Sequence, residues 1–352
     1  MLHTPFYIIW RVAMFTKEDS SICKGIAICM VLMHHLFSSN DYKGYNISFY
    51  PFAEDRVVFL AVLCKVCVAV FVFITGYGLY TCYKKCNDWN SFIKYRYTKL
   101  MKTYWFIFVI AVLLQPLGRT IVDAYGSSVK DILLYGAVDF SGLSYLFETP
   151  TLNPTWWYMG LAIAIVFMFP VIVVAVRHLG VYAVTIGSVL MVYFFGLSNT
   201  ATFYIPSLML GVLCASEGWF LRVELLCKKH KLLAPIIVIV LFFVLLWYRT
   251  EYNLNGIVDG LLAVCIVTIV KLVISRLRVV SIVLERLGRR SYIMFLTHTL
   301  IYNYYFKDFI YGFRYWWLIF TVLVVVSFVV SVVLEGILGW VQKCIKRGVI
   351  RG

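Results

Sequence analysis

The chain has 352 residues, 62% of them hydrophobic and only 14% charged, with a mean hydropathy of +0.87 and a formal net charge of +15. That apolar excess is too large for one soluble core, in which about a quarter of the residues are charged, so a bilayer is the expected solvent. In hydrocarbon each backbone amide must bond within its own segment or in a closed barrel. The apolar stretches are continuous rather than alternating, which gives an all-α fold class: a polytopic transmembrane helical bundle.

Read along the chain, residues 1–13 carry Arg11 and no small-residue cleavage site, so no cleavable signal peptide is expected, and Met14 is a candidate start. About ten spans follow. They run near Ile22–Phe37, Val57–Tyr83, Thr103–Leu117, Trp156–Val176, Val181–Phe195, Ala201–Ala215, Leu233–Tyr248, Gly256–Ser275, Ser291–Phe306 and Trp316–Trp340. This divides the chain into an N-terminal segment (1–21), a transmembrane domain (22–340) and a basic tail (341–352). The segment Gly118–Thr155 holds its own apolar patch, Ile132–Val138, expected as a re-entrant or a surface helix. No internal repeat is visible.

With the N-terminus inside, 24 of the 32 Lys and Arg residues fall on the cytoplasmic side and seven outside, with Lys65 inside the second span. Both termini are therefore expected in the cytoplasm of a multi-pass cell-membrane protein. The same alternation excludes nucleic acid as the partner, because a nucleic-acid protein needs one continuous basic face. The ten cysteines sit mostly within apolar runs, and Cys64 and Cys67, though spaced CxxC, have no second pair or histidine partner. Neither a metal site nor a disulfide framework is expected.

Ionisable groups within a span are costly and so point to function. Lys24 and His35 lie eleven residues apart on the first helix, about 16 Å at 1.5 Å per residue. Eleven residues are close to three turns, which puts both on one face. A cation at the inner rim and an imidazole deep on the same face suit anion binding at the mouth and proton transfer within. The alternative for His35 is a packed histidine bonded to a carbonyl; His34, about 100° away, reads as structural or supporting. Asp139, Glu148 and Asp259 are outer-side carboxylates that read as solvated loop or helix-end charges.

The stretch from Lys24 to His35 resembles the first-helix motif of the membrane-bound acyltransferase-3 family, in which a basic residue precedes an essential histidine by the same interval. Lysine stands here for the commoner arginine. Further stretches resemble that family in order. They are Phe71-Val72-Phe73-Ile74-Thr75-Gly76-Tyr77, the basic run from Arg96 to Trp105, Trp157-Tyr158-Met159 with Phe169-Pro170, and Ser291-Tyr292-Ile293-Met294-Phe295-Leu296-Thr297-His298. The glutamate that many members carry in the Trp-Phe-Leu helix is missing from Gly160-Leu161-Ala162.

The resemblance implies an integral membrane O-acyltransferase. Such an enzyme moves an acyl group, usually acetyl, from cytoplasmic acyl-CoA to a hydroxyl of a saccharide, a lipid-linked saccharide or another cell-envelope glycan. His35 is then catalytic, as general base or as acyl carrier. Lys24, Arg96, Lys99 and Lys102 form a basic rim suited to the phosphates of coenzyme A, although plain positive-inside charge explains the last three equally well. Thr75, Tyr104, Trp157 and His298 are placed behind His35 or against substrate. Acyl-CoA is expected as co-substrate, with no resident cofactor. A glycan or lipid carrier without acyl transfer is the alternative, and it should show repeat symmetry or helices broken near the midplane.

Overall fold

A computed structural model describes residues 15–86, 88–195, 200–230, 233–252 and 255–351; the candidate start at Met14 and the residues before it lie outside them. Among the described residues the fold is helical, with an isolated bridge between Ser48 and Tyr315. The helices are α1 Lys17–Phe37, α2 Glu54–Leu63, α3 Cys67–Tyr83, α4 Trp89–Leu113, α5 Ile121–Tyr125, α6 Val129–Phe140, α7 Trp157–Leu179 and α8 Val181–Phe195. They continue with α9 Thr200–Phe203, α10 Ile205–Ser216, α11 Trp219–Lys229, α12 Leu233–Tyr252, α13 Asn255–Leu272, α14 Arg278–Thr299, α15 Lys307–Tyr311 and α16 Trp316–Arg351.

Among the described residues six helical segments are long and apolar enough to cross a membrane: Lys17–Phe37, Glu54–Tyr83, Pro154–Leu179, Leu233–Tyr252, Gly256–Arg276 and Trp316–Cys344. Val181–Phe195 and Ile205–Ser216 are apolar but shorter. The other two expected spans lie on α4 and α14, which carry Lys94, Arg96, Lys99 and Lys102, and Arg278, Arg286, Arg289 and Arg290. The expected second span is not one smooth helix. A 3₁₀ turn, Cys64–Val66, separates α2 from α3 and contains Lys65.

The chain forms two compact units. The first comprises residues 1–30, 65–87 and 169–289. Within it α3 and α10 meet at backbone distance, because a Cβ on Gly76 would lie 2.3 Å from the Leu208 carbonyl oxygen and one on Gly211 2.2 Å from that of Phe73. Small residues permit such approach in membranes. The starting end of α1 is fixed by a capping box: Asp19 Oδ2 accepts from the Thr16 amide at 2.9 Å, and Thr16 Oγ1 accepts from the Asp19 amide at 3.0 Å. Lys271 of α13 donates to the same carboxylate at 3.0 Å. Here α1 also crosses α14 with no room to spare, since a Cβ on Gly288 would lie 1.7 Å from the Ser21 carbonyl oxygen and one on Gly25 2.0 Å from that of Leu284. Asp259, expected to be solvated, is instead buried between α12 and α13 in an ion pair with Arg249 at 2.5 Å. Mutual neutralisation is what allows both charges to leave water.

The second unit comprises residues 31–64, 88–168 and 290–352. Its core joins α4, α7 and α14 through Met101, Tyr104, Phe108, Trp156, Met159, Ile163, Ile293, Leu296 and Leu300. The segment after α4 does not stay at one end of this core. The apolar patch Ile132–Val138 lies within α6, whose C-terminal end meets the middle of α4: Tyr104 donates to the Asp139 carbonyl at 2.7 Å and Trp105 Nε1 to that of Phe140 at 2.9 Å. Gly142 then lies against Met101, Met159 and Ile163. Met101 is twelve residues from the end of α4 at Leu113, about 18 Å along the helix. The segment therefore packs along the side of α4 rather than beyond its end. After Thr299, α14 loosens into a π-helical turn, Leu300–Tyr305.

Gly288→Ala forces a methyl group into the Ser21 backbone, and overpacking of this kind costs about 1–3 kcal/mol. Gly336→Ala adds its methyl where nothing lies within 4 Å. Thermal unfolding in detergent should show a lower midpoint for the first and none for the second.

Candidate active site

The sequence-predicted residues divide between the units. His35, Arg96, Lys99, Lys102, Tyr104, Trp157 and His298 belong to the second, Lys24 and Thr75 to the first. Lys24 is partly buried on α1, which runs unbroken to His35. The Thr75 hydroxyl donates to the Phe71 carbonyl of its own helix at 2.8 Å; the close helix approach expected there is made by its neighbour Gly76.

In the second unit three imidazoles adjoin. His35 packs on His298 with ring centroids 5.0 Å apart, and His34 meets His35 edge-on at 5.2 Å. His34 Nδ1 donates to the Ala61 carbonyl at 2.8 Å. That carbonyl lies just before the 3₁₀ turn, and i→i+3 bonding there releases it from the α-helical pattern. His298 is fully buried, and its Nδ1 donates to the Phe295 carbonyl at 2.7 Å. His35 is partly buried, and among the described residues its ring makes no hydrogen bond. The packed, carbonyl-bonded histidine that was the alternative for His35 is thus realised in its two neighbours. No carboxylate contacts the His35 ring among the described residues.

The basic rim is only partly one surface. Lys94, Tyr95, Thr98, Lys99 and Lys102 of α4, together with Gln342 of α16, line a groove of about 600 Å³. These α4 positions recur at three- and four-residue intervals, so they share one face of the helix. Arg96 falls off that face; its guanidinium lies 5.4 Å over the Phe92 ring, and its Nε is buried without a hydrogen bond.

Tyr104 is buried and serves Asp139 rather than an open site. Asp139, expected to be solvated, is fully buried and is the residue that sequence reasoning most clearly missed. Its carboxylate accepts from the hydroxyls of Tyr104 (3.2 Å), Tyr125 (2.7 Å), Ser144 (3.0 Å) and Thr151 (2.9 Å) and from the Leu152 amide (2.7 Å). Five donors replace water for a charge that has no Lys or Arg partner among the described residues. The sequence held a signal: an acid closing an apolar patch, with Tyr, Ser and Thr close in the chain. Trp157 is partly buried beside Tyr145, whereas its neighbour Trp156 is buried, edge-on to Tyr104 at 5.2 Å, and donates from Nε1 to the Leu296 carbonyl at 2.9 Å. Asn153, Thr155 and Thr299 are also buried polar residues of this unit that the sequence reading did not single out.

A family model described as an acyltransferase domain matches residues 19–336. No curated protein and no solved structure matches the chain. The match covers most of the chain, which therefore belongs to the acyltransferase-3 family, and the protein is a multi-pass membrane acyltransferase.

Asp139→Ala removes the acceptor of three buried donors, the Tyr125 and Ser144 hydroxyls and the Leu152 amide, and unpaired buried donors cost about 1–3 kcal/mol each before relaxation. The variant should unfold at lower temperature than the wild type and be cut by protease between residues 141 and 153, where the wild type resists.

Proposed function

We propose that this acyltransferase moves an acyl group, acetyl in the simplest case, from cytoplasmic acyl-CoA to a hydroxyl of a cell-envelope saccharide or lipid-linked glycan at the plasma membrane, with His35 as the general base. The observation that carries this reading is the state of the three imidazoles. Two are committed to backbone carbonyls, and the third, on the helix whose sequence carries the family resemblance, keeps a ring without a hydrogen bond among the described residues. A neutral imidazole free to accept is what removal of a hydroxyl proton near neutral pH requires. The hydroxyl oxygen then bonds to the thioester carbon as the C–S bond breaks. The proton held at His35 leaves with the thiolate, so the products are an ester and free coenzyme A.

The groove on α4 supports the donor half of the proposal. Lys94, Lys99 and Lys102 bring three ammonium groups to one face, no carboxylate lines it, and the exposed Tyr95 ring offers a surface for a base to stack on. Lys24 adds a cation to the His35 helix at the end nearer the cytoplasm. Arg96, turned onto Phe92, is assigned to packing in this proposal.

In reconstituted membranes supplied with labelled acetyl-CoA and lipid-linked saccharides, the wild type should transfer label to glycan, and His35→Ala should lose about 10²–10⁴-fold in kcat. The double variant Lys99→Glu/Lys102→Glu should raise KM for acetyl-CoA at least about tenfold, the scale of two lost charge-assisted contacts, with a smaller change in kcat. Equal labelling by wild type and His35→Ala would remove His35 from the chemistry. Unchanged KM in the double variant would remove the groove.

A further inference from the structure

Among the described residues His35 has no hydrogen bond and no carboxylate to orient it, and its ring is held by the rings it packs on, His298 and His34. His298 is held at both nitrogens. Nδ1 lies 2.7 Å from the Phe295 carbonyl oxygen, which can only accept, so Nδ1 carries the hydrogen. Nε2 lies 3.3 Å from Thr299 Oγ1, and that hydroxyl lies 3.1 Å from Thr155 Oγ1. Thr155 Oγ1 donates in turn to Asn153 Oδ1 at 2.9 Å. The Asn153 amide cannot be reversed, because the same oxygen accepts from the Thr155 backbone amide at 3.1 Å. The chain thus begins at Asn153, immediately after the Thr151–Leu152 pair that Asp139 clamps, and ends on the imidazole beneath His35.

We propose that Asn153, Thr155 and Thr299 are positioning residues for the acyl transfer: acting through His298, they pin the ring on which His35 packs. This inference rests on the reading of His35 as general base. The proton taken from the acceptor hydroxyl stays on His35 until it leaves on the thiolate of coenzyme A, so the chain from Asn153 to His298 is unchanged over a turnover.

Two measurements on Thr155→Val, with Thr155→Ser as the conservative control, test it. The first is the split of kinetic constants. Thr155→Val should lower kcat about tenfold, roughly the loss of one aligning hydrogen bond, and leave KM for acetyl-CoA within about twofold, while Thr155→Ser keeps wild-type kcat. The second needs no turnover: carbethoxylation by diethyl pyrocarbonate, mapped by mass spectrometry on the folded protein. His298 should be protected in the wild type and in Thr155→Ser and modified severalfold faster in Thr155→Val. A wild-type kcat in Thr155→Val overturns the proposal. Were the wild type inactive on every acceptor tried, the acyl-transfer reading would fail separately, and unaltered protection of His298 in Thr155→Val would then overturn the positioning role by itself.

Discussion

Five donors converge on the Asp139 carboxylate, and the irregular backbone of the second unit depends on that convergence. Residues 141–153 run without a long helix, packed against α4 and α7, and each amide and carbonyl buried there needs a partner within the protein. Asp139 gathers Tyr104 from α4, Tyr125 from α5, and Ser144, Thr151 and Leu152 from the loop itself. A helix alone would have satisfied its own backbone, and a loop without the carboxylate would have left donors bare. The charge is tolerated because it is an acceptor saturated by donors, and that saturation is what places Asn153 and Thr155.

Two helices carry the imidazoles that matter. In the first unit α1 and α14 touch at Gly25 and Gly288, where neither helix has space for a Cβ. In the second the same two helices meet at His35 and His298. The π-helical turn that follows Thr299 changes the bonding pattern of α14 just past the histidine, and such turns recur at functional sites in helices. Beside His35 lies a second imidazole, His298, itself tied to backbone and hydroxyls.

Much of this was legible in the sequence, for identifiable reasons. Continuous apolar runs gave helices in the right places, since in a bilayer hydropathy and helix formation coincide. Lys24 and His35 stood out because ionisable groups within a span are rare. The apolar patch Ile132–Val138 was visible, but the depth it reaches was not, because depth is set by contacts with α4 far along the chain. Asp139 and Asp259 were read as solvated because sequence carries no record of partners: Arg249 is ten residues from Asp259, and Thr151 and Tyr125 are twelve and fourteen from Asp139. Arg96 and Lys99 look equivalent in the chain, yet one helical face separates the guanidinium on Phe92 from the ammonium in the groove. The basic rim was a correct composition and an incomplete surface.

The most direct measurement is a structure by electron cryo-microscopy of the protein in lipid nanodiscs with a non-transferable thioether analogue of acetyl-CoA. The account predicts phosphate density against Lys94, Lys99 and Lys102 and the acyl end of the analogue directed toward the His35 ring. An analogue seated elsewhere, or one whose acyl end points away from His35 with the groove unfilled, would contradict it.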